Sequence, residues 1–100
     1  MEKINDTKDT VLQEIKEIAM KYKIDRVILF GSRARGDNSH VSDYDIAVYA
    51  SSLTELEKTL FYYDIDEIET LKKIDIVYID TSTDRTFLDN ISRDGVIIYE

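Results

Sequence analysis

The chain has 100 residues, 43 % hydrophobic and 34 % charged, which fits one domain over 1–100 with a single modest core. The absence of cysteine excludes disulfides and thiolate metal sites, and a formal charge of −8 argues against a broad nucleic-acid footprint, which needs clustered Lys and Arg. The polar start MEKINDTKDT and the lack of any long apolar run lead to the expectation of no membrane span and a cytoplasmic location.

Val11, Leu12, Ile15, Ile18, Ala19 and Tyr22 recur at helical spacing and predict an amphipathic helix over about 8–23. RVILF at 26–30 is β-branched and apolar, a buried strand stopped by Gly31. The segment after it has room for a short helix at Ser32–Arg35 but not for a full crossover. DIAVYA at 45–50 is a second strand. Thr54 with Glu57 three residues on reads as a capping box, opening a helix that carries Leu56, Leu60 and Phe61. The pattern leaves open whether that helix breaks near Asp64 or continues through Ile65 and Ile68. IDIVYI at 74–79 is a third strand. Thr83 is expected to cap a helix whose inner side is Phe87, Leu88 and Ile91, Gly95 to end it in the left-handed conformation, and VIIY at 96–99 to form a fourth strand. The alternation implies an α/β (α+β) domain, a small mixed sheet with helices packed on it.

Residues 30–48, FGSRARGDNSHVSDYDIAV, carry the chemistry. Strand side chains alternate, so Asp43 and Asp45 point one way and Tyr44 the other. Two carboxylates that close repel unless a cation sits between them, and magnesium is held by one or two carboxylates together with substrate phosphates. Taken alone, D-x-D is a weak signal and is more often just a polar strand entry. Its context is Gly31, where a ligand can come close to the main chain, then Ser32, Arg33 and Arg35, a hydroxyl and two guanidinium groups suited to phosphate. Asp75 lies inside an apolar strand, where an unpaired carboxylate is expensive, and completes a set of three if that strand lies beside the second. Asp80, Asp64 and Asp66 read as solvated positions. Three acids beside a phosphate-binding turn suit two-metal phosphoryl transfer, with the third acid also able to take a proton. His40 has no assigned role, and Tyr62 and Tyr63 fit a partner-facing surface.

Gly31-Ser32, ten residues, then Asp43-Tyr44-Asp45 resembles the G-S-x10-D-x-D signature of the minimal nucleotidyltransferases of the DNA polymerase beta superfamily. The likeness extends to GSRARG, SDYDIAV and IDIVYI, and covers nearly the whole chain. It implies the nucleotidyltransferase fold, with Asp43, Asp45 and Asp75 as ligands of two Mg²⁺ ions and Ser32 joining them in catalysis. It also implies ATP as substrate, with Gly31, Ser32, Arg33 and Arg35 at the nucleotide. Stand-alone members of this size resemble antitoxins paired with HEPN-family ribonuclease toxins, to which they move AMP onto a tyrosine hydroxyl. An acidic antitoxin facing a basic toxin is electrostatically consistent. The other readings are an antitoxin that inhibits by binding alone and a small-molecule nucleotidyltransferase; a nucleic-acid polymerase fits the charge least.

Overall fold

A computed structural model describes residues 2–3, 9–35 and 43–100, apart from the side chains of residues 2, 3, 32 and 35. In chain order the elements are β1 (Glu2–Lys3), α1 (Thr10–Lys21), β2 (Arg26–Phe30), α2 (Ser32–Arg35), β3 (Tyr44–Tyr49), α3 (Glu55–Asp66), β4 (Ile74–Ile79), α4 (Arg85–Asp94) and β5 (Val96–Tyr99). The strands form one sheet in the order β1-β5-β2-β3-β4. β2 runs antiparallel to both β3 and β5, whereas β3 and β4 are parallel, as are β1 and β5. The mixed sheet expected from the sequence is therefore present. No helix among the described residues is long and apolar enough to cross a membrane.

The two faces of the sheet are covered unequally. One is roofed by α1 and α3, whose Ile15, Ala19, Phe61 and Ile65 meet Val27, Leu29, Ile46, Val48 and Ile98 in the main core. Burying a side chain such as Phe61, fully enclosed here, contributes about 1.5–3 kcal/mol. The other face carries a smaller cluster, Ile28, Ala47, Ile91 and Ile97, closed by the edge-to-face pair Phe30–Phe87 at 5.2 Å. α4 is the helix in this second cluster, and Val77 on β4 stays 37 % exposed. Asp45 alternates with Ala47, and Asp75 with Val77, so both carboxylates belong to this thinly covered face.

Local chemistry explains the helix ends. Asp9 caps α1, its Oδ1 accepting from the amides of Val11 (2.9 Å) and Leu12 (3.2 Å). Thr54 and Glu57 exchange both bonds of the expected capping box, and α3 continues past Asp64 to Asp66. Two expectations are corrected. The cap of α4 is Asp84, which accepts from the Phe87 amide, while the Thr83 hydroxyl closes the preceding turn by accepting from the Asp80 amide at 2.9 Å. Gly95 ends α4 with φ −71°, not left-handed; glycine is needed for space, because a Cβ would overlap the Ile91 carbonyl and Ile28 Cγ2. The short β1 had no apolar signal and was not expected. It pairs through its backbone, Glu2 with Val96 and Lys3 with Ile97.

Candidate active site

The end of β2 and the beginnings of β3 and β4 meet at one edge of the thinly covered face. Phe30, the last residue of β2, pairs with Asp45. Asp45 in turn pairs with Asp75 across the parallel ladder. Register partners share a face of the sheet, so the second and third expected acids stand side by side. Asp43 lies two residues before Asp45 and leans towards β4, accepting from the Lys73 amide at 3.1 Å. The Tyr44 amide donates to the Lys73 carbonyl at 2.9 Å, so the start of β3 engages both backbone polar groups of Lys73, just ahead of β4.

The turn after β2 closes over the same carboxylates. Gly31 has φ +78°, a conformation that side-chain-bearing residues rarely adopt, and it sends the chain straight into α2. A Cβ at Gly31 would overlap Asp45 Oδ2 and stand 3.2 Å from its Cγ. The missing side chain is thus the space that the carboxylate fills. Ser32 and Arg35 lie on α2, with side chains outside the described set, and His40 falls outside the described residues.

Arg33 is held differently from what its place in GSRARG suggests. Its guanidinium lies 4.0 Å above the Tyr44 ring and 3.8 Å from Asp9 Oδ2, with its side chain 13 % exposed. The Tyr44 hydroxyl donates to the same Asp9 oxygen at 2.7 Å. Burial first, and then this bond to a carboxylate, push the Tyr44 phenol up to about 12. Tyr44 thus passes through the sheet to the helix side, as alternation requires, and joins α1, α2 and β3. The Asp9 component was legible as an aspartate just before the first apolar helical residue; the bond to Tyr44 was not.

Lys73 is the other residue that the motif did not indicate. Its ammonium lies 3.3 Å from Asp75 Oδ1. It supplies positive charge beside paired acids that would otherwise repel. Among the described residues no three acidic or imidazole groups are drawn close enough to hold one ion. Asp45 and Asp75 nevertheless share one face of the sheet in register, and carboxylate oxygens are the donors that hard divalent cations take. Beside Asp75 a cleft of about 420 Å³ runs between the end of α3 and the edge strand β4, lined by Tyr62, Asp66, Thr70, Lys72 and Lys73 among others.

The polymerase beta nucleotidyltransferase family model matches residues 13–100. The chain belongs to that family. Among its relatives is MJ0141 of Methanocaldococcus jannaschii, inferred to be a protein adenylyltransferase, 30 % identical over 92 residues, which covers 86 % of this chain and 93 % of the relative. Two solved structures share the nucleotidyltransferase fold at 21 % identity. A toxin–antitoxin crystallised with AMP-PNP superposes with a TM-score of 0.63 over 87 % of this chain and 71 % of that one. An inferred nucleotidyltransferase of Sulfolobus solfataricus gives 0.52 over 94 % and 89 %. Within this nucleotidyltransferase, the match takes in Gly31, Ser32, all three candidate aspartates and the strands that carry them.

Proposed function

We propose that this nucleotidyltransferase moves AMP from ATP onto a tyrosine hydroxyl of a protein partner, a HEPN-family toxin, and so neutralises it. The observation that carries the reading is the pairing of Asp45 with Asp75 beside a positive-φ glycine whose missing Cβ leaves room for the Asp45 carboxylate. The relative inferred to be a protein adenylyltransferase and the toxin–antitoxin neighbour support the choice of acceptor and partner.

Asp43, Asp45 and Asp75 are the residues that would hold Mg²⁺ ions, which supply charge neutralisation at the triphosphate and a lowered pKa at the attacking hydroxyl. The Gly31–Ser32 turn offers main-chain amides to phosphate oxygens, with the Ser32 hydroxyl and Arg35 beside them. Arg33 acts through Tyr44 and Asp9, fixing α2 and hence the turn. The acceptor oxygen bonds to the α-phosphorus, the bond to the bridging oxygen breaks and pyrophosphate leaves. The hydroxyl proton passes to a carboxylate of the cluster, and the position of Asp75 along the cleft supports that residue in the role. Lys73 would give up its contact with Asp75 when the site is loaded, since both positive groups compete for one carboxylate.

The test is co-expression with the product of the neighbouring reading frame, followed by intact-mass measurement of that product. An added AMP, lost with Asp45→Asn, supports catalysis. An inhibited but unmodified partner supports the reading in which binding alone neutralises it.

A further inference from the structure

α3 is apolar on two opposite sides. Phe61 and Ile65 face inward, whereas Leu56, Leu60 and Tyr63, spaced i, i+4, i+7, lie on the outer side and are 67 %, 46 % and 59 % exposed. Helical geometry places Glu55 and Asp66 along one flank of this outer ridge and Glu57 and Asp64 along the other, with Glu67 at its end. Lys58 is turned to the inner side, its ammonium over the Tyr78 ring and 3.5 Å from Glu55. The result is an apolar strip between two acidic rails. At its C-terminal end Tyr62 and Asp66 line the cleft at the edge strand that Asp75 also lines.

We propose that this ridge is a docking surface for a basic protein partner that presents an apolar strip between lysine and arginine side chains. Charge complementarity selects that occupant. A second copy of the chain, at −8, would set acid rails against acid rails, whereas a basic partner neutralises both while the strip is buried. Docked there, the partner can pass a hydroxyl-bearing side chain into the cleft towards Asp75; this last step rests on the transferase reading given above.

The probe is a fluorescently labelled synthetic amphipathic helix of leucine and lysine with a single tyrosine, titrated with the full chain and followed by anisotropy. Expected is saturable binding that weakens as salt is raised and falls about tenfold with Leu56→Ser plus Leu60→Ser. Asp89→Asn plus Glu100→Gln, which removes two acidic charges at exposed positions away from α3, should leave it unchanged. Absence of binding, indifference to the ridge substitutions, or equal loss in that charge variant overturns the proposal. Ridge-dependent self-association in sedimentation velocity also overturns it, in favour of a second copy. With ATP and Mg²⁺ present, a peptide that binds through the ridge but gains no AMP leaves the docking surface standing and counts against the transferase reading.

Discussion

Gly31→Ala perturbs the site through a single methyl group. Alanine at φ +78° carries a backbone cost of about 1–2 kcal/mol, because Cβ crowds the neighbouring carbonyl in the left-handed region. The same Cβ overlaps Asp45 Oδ2, and restoring an ordinary contact of ~3.5 Å requires the carboxylate to retreat by about 1 Å. That oxygen is the far end of a short side chain, so it yields more readily than the backbone does. The loss of stability should therefore stay near 1–2 kcal/mol, roughly a 5–15 °C fall in Tm for a domain of this size. A displacement of ~1 Å at a group that positions reactants can cost about 10²-fold. Circular dichroism reads the first effect, and Mn²⁺ affinity by electron paramagnetic resonance, together with AMP transfer to the partner, reads the second. A variant that melts like the parent and keeps both activities would refute the account of Asp45 filling the space at Gly31.

Gly95→Ala supplies a contrast, since φ −71° carries no backbone strain; overlap with Ile28 and the Ile91 carbonyl should still cost about 1–3 kcal/mol in chemical denaturation, with Mn²⁺ affinity unchanged. Tyr44→Phe keeps the ring under Arg33 but deletes the bond to Asp9, and should cost about 1 kcal/mol while raising the KM for ATP more than it lowers kcat, because α2 loses a tether. The phenols of Tyr22, Tyr44 and Tyr78 are pushed from 10.0 up to about 12, the first chiefly by its hydrogen bond to Asp64 and the other two chiefly by burial. A pKa raised by folding gives stability that is complete below the unfolded value. Unfolding free energy should hold up to pH 10 and fall between 10 and about 12, with tyrosinate absorbance rising in the same window. Early titration of all three phenols would contradict their placement.

The order of elements was legible because each rests on local chemistry: helical periodicity for α1, β-branched runs for β2 and β4, and the Thr54–Glu57 box for α3. The identity of the candidate site was legible for a similar reason. Gly31, Ser32, Asp43 and Asp45 are close enough in sequence for spacing to constrain them, and alternation alone sent Tyr44 to the opposite face. What needed the tertiary structure lay between segments. Nothing local made β4 the neighbour of β3 or set Asp75 opposite Asp45, because register is fixed by long-range hydrogen bonds and by which face is buried. The sequence set Arg33 beside the phosphate turn, but not its guanidinium against Tyr44 and Asp9, the latter distant in sequence. Lys73 carries no motif, and its ammonium matters only because folding sets it at Asp75. The two apolar sides of α3 read as one hydrophobic segment in sequence; only the position of the sheet decides which side became core and which remained a surface.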